Sequence, residues 1–79
     1  MKIKVKYFAF FKEATGISEE IIEVNNGKNM GYLLEIITKK YNLESNGNMI
    51  ISLNHEYTKE DVRLNEGDEV AIMMPSSGG

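Results

Sequence analysis

The residues predict a single α+β domain, a mixed sheet with one packed helix. Three observations carry that expectation. Apolar residues alternate with polar ones near the start, in the middle and at the end of the chain, the period of half-buried strands. One stretch between them carries the helical period instead. The chain is 79 residues long with 42% apolar residues, enough for one small core and no second domain.

Lys2 to Phe8 places Ile3, Val5 and Tyr7 on one face and Lys2, Lys4 and Lys6 on the other, a half-buried strand. Phe8 to Ala14 reads as a helical turn closed by Gly16. Glu19 to Val24 is a second strand, and Asn25-Asn26-Gly27 is turn chemistry. Met30, Leu33, Leu34, Ile37 and Tyr41 form one stripe at helical spacing, with Asn29 placed to cap its start and Lys39 and Lys40 near its negative end. Asn42 or the Asn46-Gly47-Asn48 cluster ends that helix. Met49 to Leu53 alternates again, and Asn54-His55 looks like a two-residue hairpin loop into a short strand at Glu56-Tyr57. Thr58 and Asp61 have the spacing of a capping box, which predicts a short helical turn. Asn65 to Asp68 is a turn, and Glu69 to Met74 is the last strand, with Val70, Ile72 and Met74 expected to face the core. Pro75 has no N–H and stops the pairing. A hairpin, a crossing helix and returning strands in this order make a β-grasp (ubiquitin-like) arrangement. In it the last strand lies parallel to the first through a right-handed crossover. The expected division is a folded domain over residues 1–74 and a flexible tail over residues 75–79.

Composition excludes several chemistries. Without cysteine there is no disulfide scaffold, thiol nucleophile or cysteine metal site, and a single histidine builds no histidine cluster, so no metal is expected. A net charge of −3 and a pI near 5.1 disfavour a nucleic-acid partner, which calls for a dense basic surface. No apolar run reaches membrane-span length, and the alternating charge of Met1 to Lys6 is unlike a signal peptide; a cytoplasmic protein is expected. His55 reads as a hairpin residue that tolerates positive φ. The Lys2, Lys4, Lys6 row reads as a solvated face. Glu19 and Glu20 flank a strand start with no third partner in view and receive no catalytic role.

The remaining chemistry sits in Pro75-Ser76-Ser77-Gly78-Gly79. Such an end is commonly a frayed terminus or an expression linker. It leaves directly from an apolar strand, however, and closes on two glycines. Five residues reach at most about 17 Å. Their small side chains thread a narrow channel, and glycine lets the backbone approach a nucleotide closely. The reactive group at the tip is the α-carboxylate of Gly79. A carboxylate is a poor electrophile and needs activation, for example as an acyl-adenylate made from ATP. In a chain without cysteine, sulfur can be carried only at the Gly79 carbonyl, as a thiocarboxylate. Phe8, Phe10, Phe11, Met73 and Met74 crowd the strand ends near the tail, and so small a core cannot easily bury them all. Either they fold back over a sheet edge or they expose a partner surface.

Three stretches resemble the small sulfur-carrier subunit of molybdopterin synthase, the MoaD family. They are Phe8 to Gly16, Gly67-Asp68-Glu69-Val70-Ala71, and Pro75 to Gly79. The resemblance spans the chain in length and element order. Met74 departs from it, standing where the family usually has the first of two prolines, which leaves the arm less stiff. The resemblance implies that a ubiquitin-activating-like adenylyltransferase uses ATP to adenylate Gly79 and that a sulfur donor converts it to a thiocarboxylate. The tail then enters the large catalytic subunit of a heterotetrameric synthase and gives its sulfur to a pterin precursor. It implies that Gly78, Ser77, Ser76 and Pro75 thread that site and that Phe8, Phe10, Met73 and Met74 meet the partner. The chain itself binds no cofactor and is a co-substrate subunit, not a catalyst alone. A carrier of another sulfur pathway (thiamin-type), a small protein modifier and a plain β-grasp binding module are the alternatives.

Overall fold

A computed structural model describes residues 1–43 and 49–75. The expected turn at Asn46-Gly47-Asn48 and the tail from Ser76 to Gly79 lie outside the described residues. The elements are β1 (Lys2–Tyr7), α1 (Phe10–Thr15), β2 (Glu19–Glu23), α2 (Met30–Lys40), β3 (Ile50–Leu53), β4 (Glu56–Thr58) and β5 (Glu69–Met73). The five strands form one mixed sheet in the order β2-β1-β5-β3-β4. β1 and β5 run parallel, with Val5 opposite Val70 and Tyr7 opposite Ile72; the other neighbours are antiparallel. This is the expected β-grasp topology.

Period two divides the sheet into two faces. Ile3, Val5 and Tyr7 of β1, Ile22 of β2, and Val70 and Ile72 of β5 are buried on the core face. Met30, Leu33, Leu34 and Ile37 of α2 cover them, with Phe11 and Leu64 filling the ends. The helical stripe therefore belongs to the core. α1 begins with a reversal in which the Phe11 N–H donates to the Phe8 carbonyl at 3.0 Å, and it ends on Gly16 in the left-handed region, φ 81°. At the other hairpin Asn54 and His55 hold φ of 51° and 73°, the pair of positive angles a type I′ turn requires. His55 is thus a turn residue, as expected.

The segment after β4 differs from expectation. Thr58 is the last residue of β4, paired with Ile51, and Glu60-Asp61 form a turn but no helix. The reason lies in α2, whose first N–H groups have no partner within the helix. Asn29 Oδ1 accepts from the Tyr32 N–H at 3.0 Å. The Met30 and Gly31 N–H groups donate to the carbonyls of Val62 and Glu60, each at 2.9 Å. Those carbonyls serve α2 instead of starting a helical turn of their own. Gly31 fits the close crossing, since a Cβ there would stand 3.5 Å from the Glu60 carbonyl oxygen and 3.4 Å from Asn29 Oδ1. At the far end Tyr41 caps α2 and Asn42 turns the chain with φ 54°.

Glu20 overturns another expectation, since it has three partners. It faces Val5 across β1 and β2, so its side chain lies on the core face of an edge strand. The hydroxyls of Tyr7 and Tyr41 each donate to Oε2 at 2.6 Å, and Lys40 Nζ donates to Oε1 at 2.6 Å. The two tyrosine rings meet edge to face at 6.0 Å. This cluster ties the C-terminal turn of α2 to the β1–β2 edge. Burial alone pushes the Glu20 carboxyl up, but the hydrogen bonds from Lys40, Tyr41 and Tyr7 outweigh it and hold it below the usual carboxylate range. Burial, reinforced by the carboxylate, pushes both phenols up.

A carboxyl lowered in the folded state stabilises the fold above its unfolded pKa, and that contribution is lost as pH falls through the folded value. Glu20→Gln keeps the volume and loses the charge. At pH 7 it is expected to destabilise the domain by about 1–2 kcal/mol, the scale of a hydrogen bond to a charged group. Thermal melts of both proteins should converge on acidification to pH 3; a gap unchanged between pH 7 and pH 3 would remove the proposed linkage.

Candidate docking face and tail root

The face of the sheet opposite α2 carries no covering element among the described residues. Parallel pairing makes β1 and β5 end together, and β3, antiparallel to β5, begins at that same end. Phe8 leaves β1 there, with its N–H on the Ile72 carbonyl at 3.2 Å. Met73 pairs with Ile50, Ala71 with Lys6 and Ser52, and Ser52 with Tyr57, so all six share the open face.

Two shallow grooves mark this face. One, of about 430 Å³, runs beside the exit of β5 and is lined by Met49, Ile50, Tyr57, Met73, Met74 and Pro75. The other, of about 270 Å³, lies toward the hairpin and is walled by Phe8, Ala71, Tyr57 and Met73. Tyr57 and Met73 line both. Tyr57 is 77% exposed, Phe8 46% and Met74 39%, a cluster of apolar surface at the point where the tail departs. Charge frames it. Lys6 Nζ stands 3.5 Å from Glu69 Oε2, and His55 Nε2 stands 3.4 Å from the same oxygen. Further out Lys4 Nζ lies 3.4 Å from Glu19. Asn54 fixes the hairpin to the start of β5, its N–H donating to the Glu69 carbonyl at 2.7 Å and its Oδ1 accepting from the Glu69 N–H at 2.9 Å. An apolar centre with a polar rim suits a protein partner.

Met73 thus shares one groove with Met74 and the other with Phe8, while Phe10 joins neither. It projects from α1 at 56% exposure, packs edge to face on buried Phe11 at 5.3 Å, and lines neither groove. Met74 also differs from its expected place on the core face. β5 stops at Met73, so the alternation that would have turned Met74 inward ends one residue early. Tyr57 is a surface residue that sequence reasoning missed. β4 has three residues, too few for a visible period, and only its register with Ser52 reveals its face. Among the described residues no group of three His, Cys, Asp or Glu side chains could hold a metal ion. No helix among the described residues is long and apolar enough to cross a membrane.

Known proteins share this chain's sequence pattern and fold. The chain is 40% identical over 83 residues to the molybdopterin synthase sulfur carrier subunit of Chlamydomonas reinhardtii, covering all of both chains. Its fold superposes on SAMP1 from Haloferax volcanii with a TM-score of 0.87 over both whole chains, at 21% identity, a likeness of fold. It also matches a chain of the complex of subunits 1 and 2 of molybdopterin-converting factor from Helicobacter pylori, with 25% identity, a TM-score of 0.73 and full coverage of both chains. The ThiS family pattern matches residues 5–79, and the chain belongs to the ThiS family.

Proposed function

We propose that this chain is the sulfur carrier subunit of a molybdopterin synthase. One observation carries the reading: the sheet delivers Pro75 beside an open apolar face, so docking at the face aims the diglycine end into a partner. The full-length likeness to sulfur carrier subunits supports it. The large synthase subunit is the partner for this face, and the complex from Helicobacter pylori supports that pairing. Two copies of each subunit make the heterotetramer.

The chemistry follows from the Gly79 carboxylate. Its oxygen attacks the α-phosphorus of ATP on a ubiquitin-activating-like adenylyltransferase, and pyrophosphate leaves. A sulfur donor then displaces AMP from the acyl carbon, leaving a thiocarboxylate. In the large subunit that sulfur passes to a pterin precursor, and water restores the carboxylate. Activation lowers the barrier because AMP is a far better leaving group than oxide. This chain binds no cofactor of its own. The ATP is used by the activating enzyme, and the acid–base groups belong to the large subunit. We propose the cytoplasm as the compartment of this work.

Intact mass after incubation with ATP, the activating enzyme and a sulfur source should rise by the difference between sulfur and oxygen, mapped to Gly79. Removal of Gly78-Gly79 should abolish the gain and leave melting and docking unchanged. An unchanged full-length mass, with the enzyme active on a known carrier, would mark an inert binding module.

Tyr57→Ala and Met73→Asp should weaken binding to the large subunit by about 2 kcal/mol, some thirty-fold, the scale of a central interface residue. Phe10→Ala should cost much less, because Phe10 stands outside the grooves. Calorimetric titration with matched circular dichroism checks this, and equal losses for all three would place the contact on α1.

A further inference from the structure

Three of the chain's five methionines, Met49, Met73 and Met74, line the groove beside the exit of β5. The other two stand elsewhere: Met30 is fully buried under the sheet, and Met1 packs against the core and pairs with Val24. With no cysteine present, methionine thioethers are the only side-chain sulfur the protein offers to an oxidant. Their accessibility is graded. Met74 is 39% exposed, Met73, Met49 and Met1 are half-buried, and Met30 is closed to solvent.

We infer that this groove is a reversible oxidation site, in which a peroxide converts Met74, and then Met73, to the sulfoxide and suspends docking. The docking half rests on the carrier reading above. In the step itself the thioether lone pair attacks one peroxide oxygen. The O–O bond breaks, an S–O bond forms, and the other oxygen leaves as water when the oxidant is hydrogen peroxide. Sulfur loses two electrons and the peroxide gains them. A dithiol-dependent sulfoxide reductase reverses the change, its two thiols becoming a disulfide as the oxygen departs as water.

The consequence follows from what surrounds these sulfurs. A thioether is apolar and adaptable, which suits a groove bounded by Tyr57, Ile50 and Pro75. A sulfoxide puts a strong hydrogen-bond acceptor into the same contact. Covered by an apolar partner, that oxygen loses its water, which costs affinity.

The test uses the full chain with its free Gly79 carboxylate, so that no carried sulfur competes for oxidant. After dilute hydrogen peroxide, peptide mass mapping should place the first added oxygen on Met74, the next on Met73, and none on Met30. Titration against the large subunit should then show affinity lower by on the order of ten-fold or more. Reductase treatment should restore it. The double variant Met73→Leu, Met74→Leu is inert to peroxide at both positions, and its affinity, whatever its starting value, should be the same before and after treatment. Oxygen spread evenly over all methionines would overturn the site. Sulfoxide at Met74 with unchanged affinity would overturn the switch. Failure of the reduced wild type to dock at all would overturn the carrier's docking reading and the switch with it, while the mapping still decides the site.

Discussion

The parallel pairing of β1 with β5 is the constraint on which the molecule depends. Parallel neighbours cannot be joined by a tight turn; the chain must cross the sheet between them. Here α2 makes that crossing, and its stripe of Met30, Leu33, Leu34 and Ile37 covers Val5 and Val70, which face each other at the sheet centre. The same pairing sets where the strands finish. Because β1 and β5 point the same way, Phe8 and Met73 emerge at one end of the sheet, and the tail starts there. Core, docking face and tail root thus descend from one register, in which a slip by one residue would exchange the buried and open faces.

A one-sided sheet leaves its other face to water, and this protein fills part of that face with apolar side chains. Phe8, Tyr57 and Met73 contribute little to folding where they stand, since the core is complete without them. Charges border the patch instead. The Lys6–Glu69 and Lys4–Glu19 pairs are exposed enough that each is worth little to stability. They limit indiscriminate sticking and set the orientation of a partner. The acidic net charge is compatible with this arrangement, because Lys4 and Lys6 of β1 are locally paired.

Much of this was legible in the sequence because period is a strong signal. The alternation of Ile3, Val5 and Tyr7, the stripe of α2 and the Asn54-His55 turn each declared themselves within a few residues. What escaped was set by residues far apart in the chain. Glu20 looked isolated because its partners Tyr7, Tyr41 and Lys40 lie on other elements. The buried positions of Ile22 and Val24 did place Glu20 on the inner side, a clue that alternation held but that a charged residue obscured. The Thr58–Asp61 spacing suggested a local helical turn, yet the unsatisfied N–H groups of α2 claimed that segment's carbonyls. Tyr57 depended on a three-residue strand whose face only pairing defines. Met74 depended on where one strand stopped. The tail from Ser76 to Gly79 lies outside the described residues, and its proposed chemistry rests on the sequence and the family likeness.

Separating the folded face from the reactive tip has a quantitative consequence for the proposed carrier. A five-residue arm reaches at most about 17 Å from its root. Docking at the root therefore confines the carboxylate to a volume in which its effective concentration is on the order of 0.1 M. That confinement makes the modest affinity of a small face sufficient, since the acyl group need not bind strongly in its own right. Modest affinity is also what a carrier requires, because the same chain must leave the activating enzyme before it can serve the synthase. The shallow grooves beside Tyr57 and Met73 fit that need better than a deep pocket would. In the proposed carrier, flexible thioethers at the root suit a surface that must serve two partners in turn. The same side chains are the ones open to the proposed oxidation, so adaptability and sensitivity to peroxide share one origin.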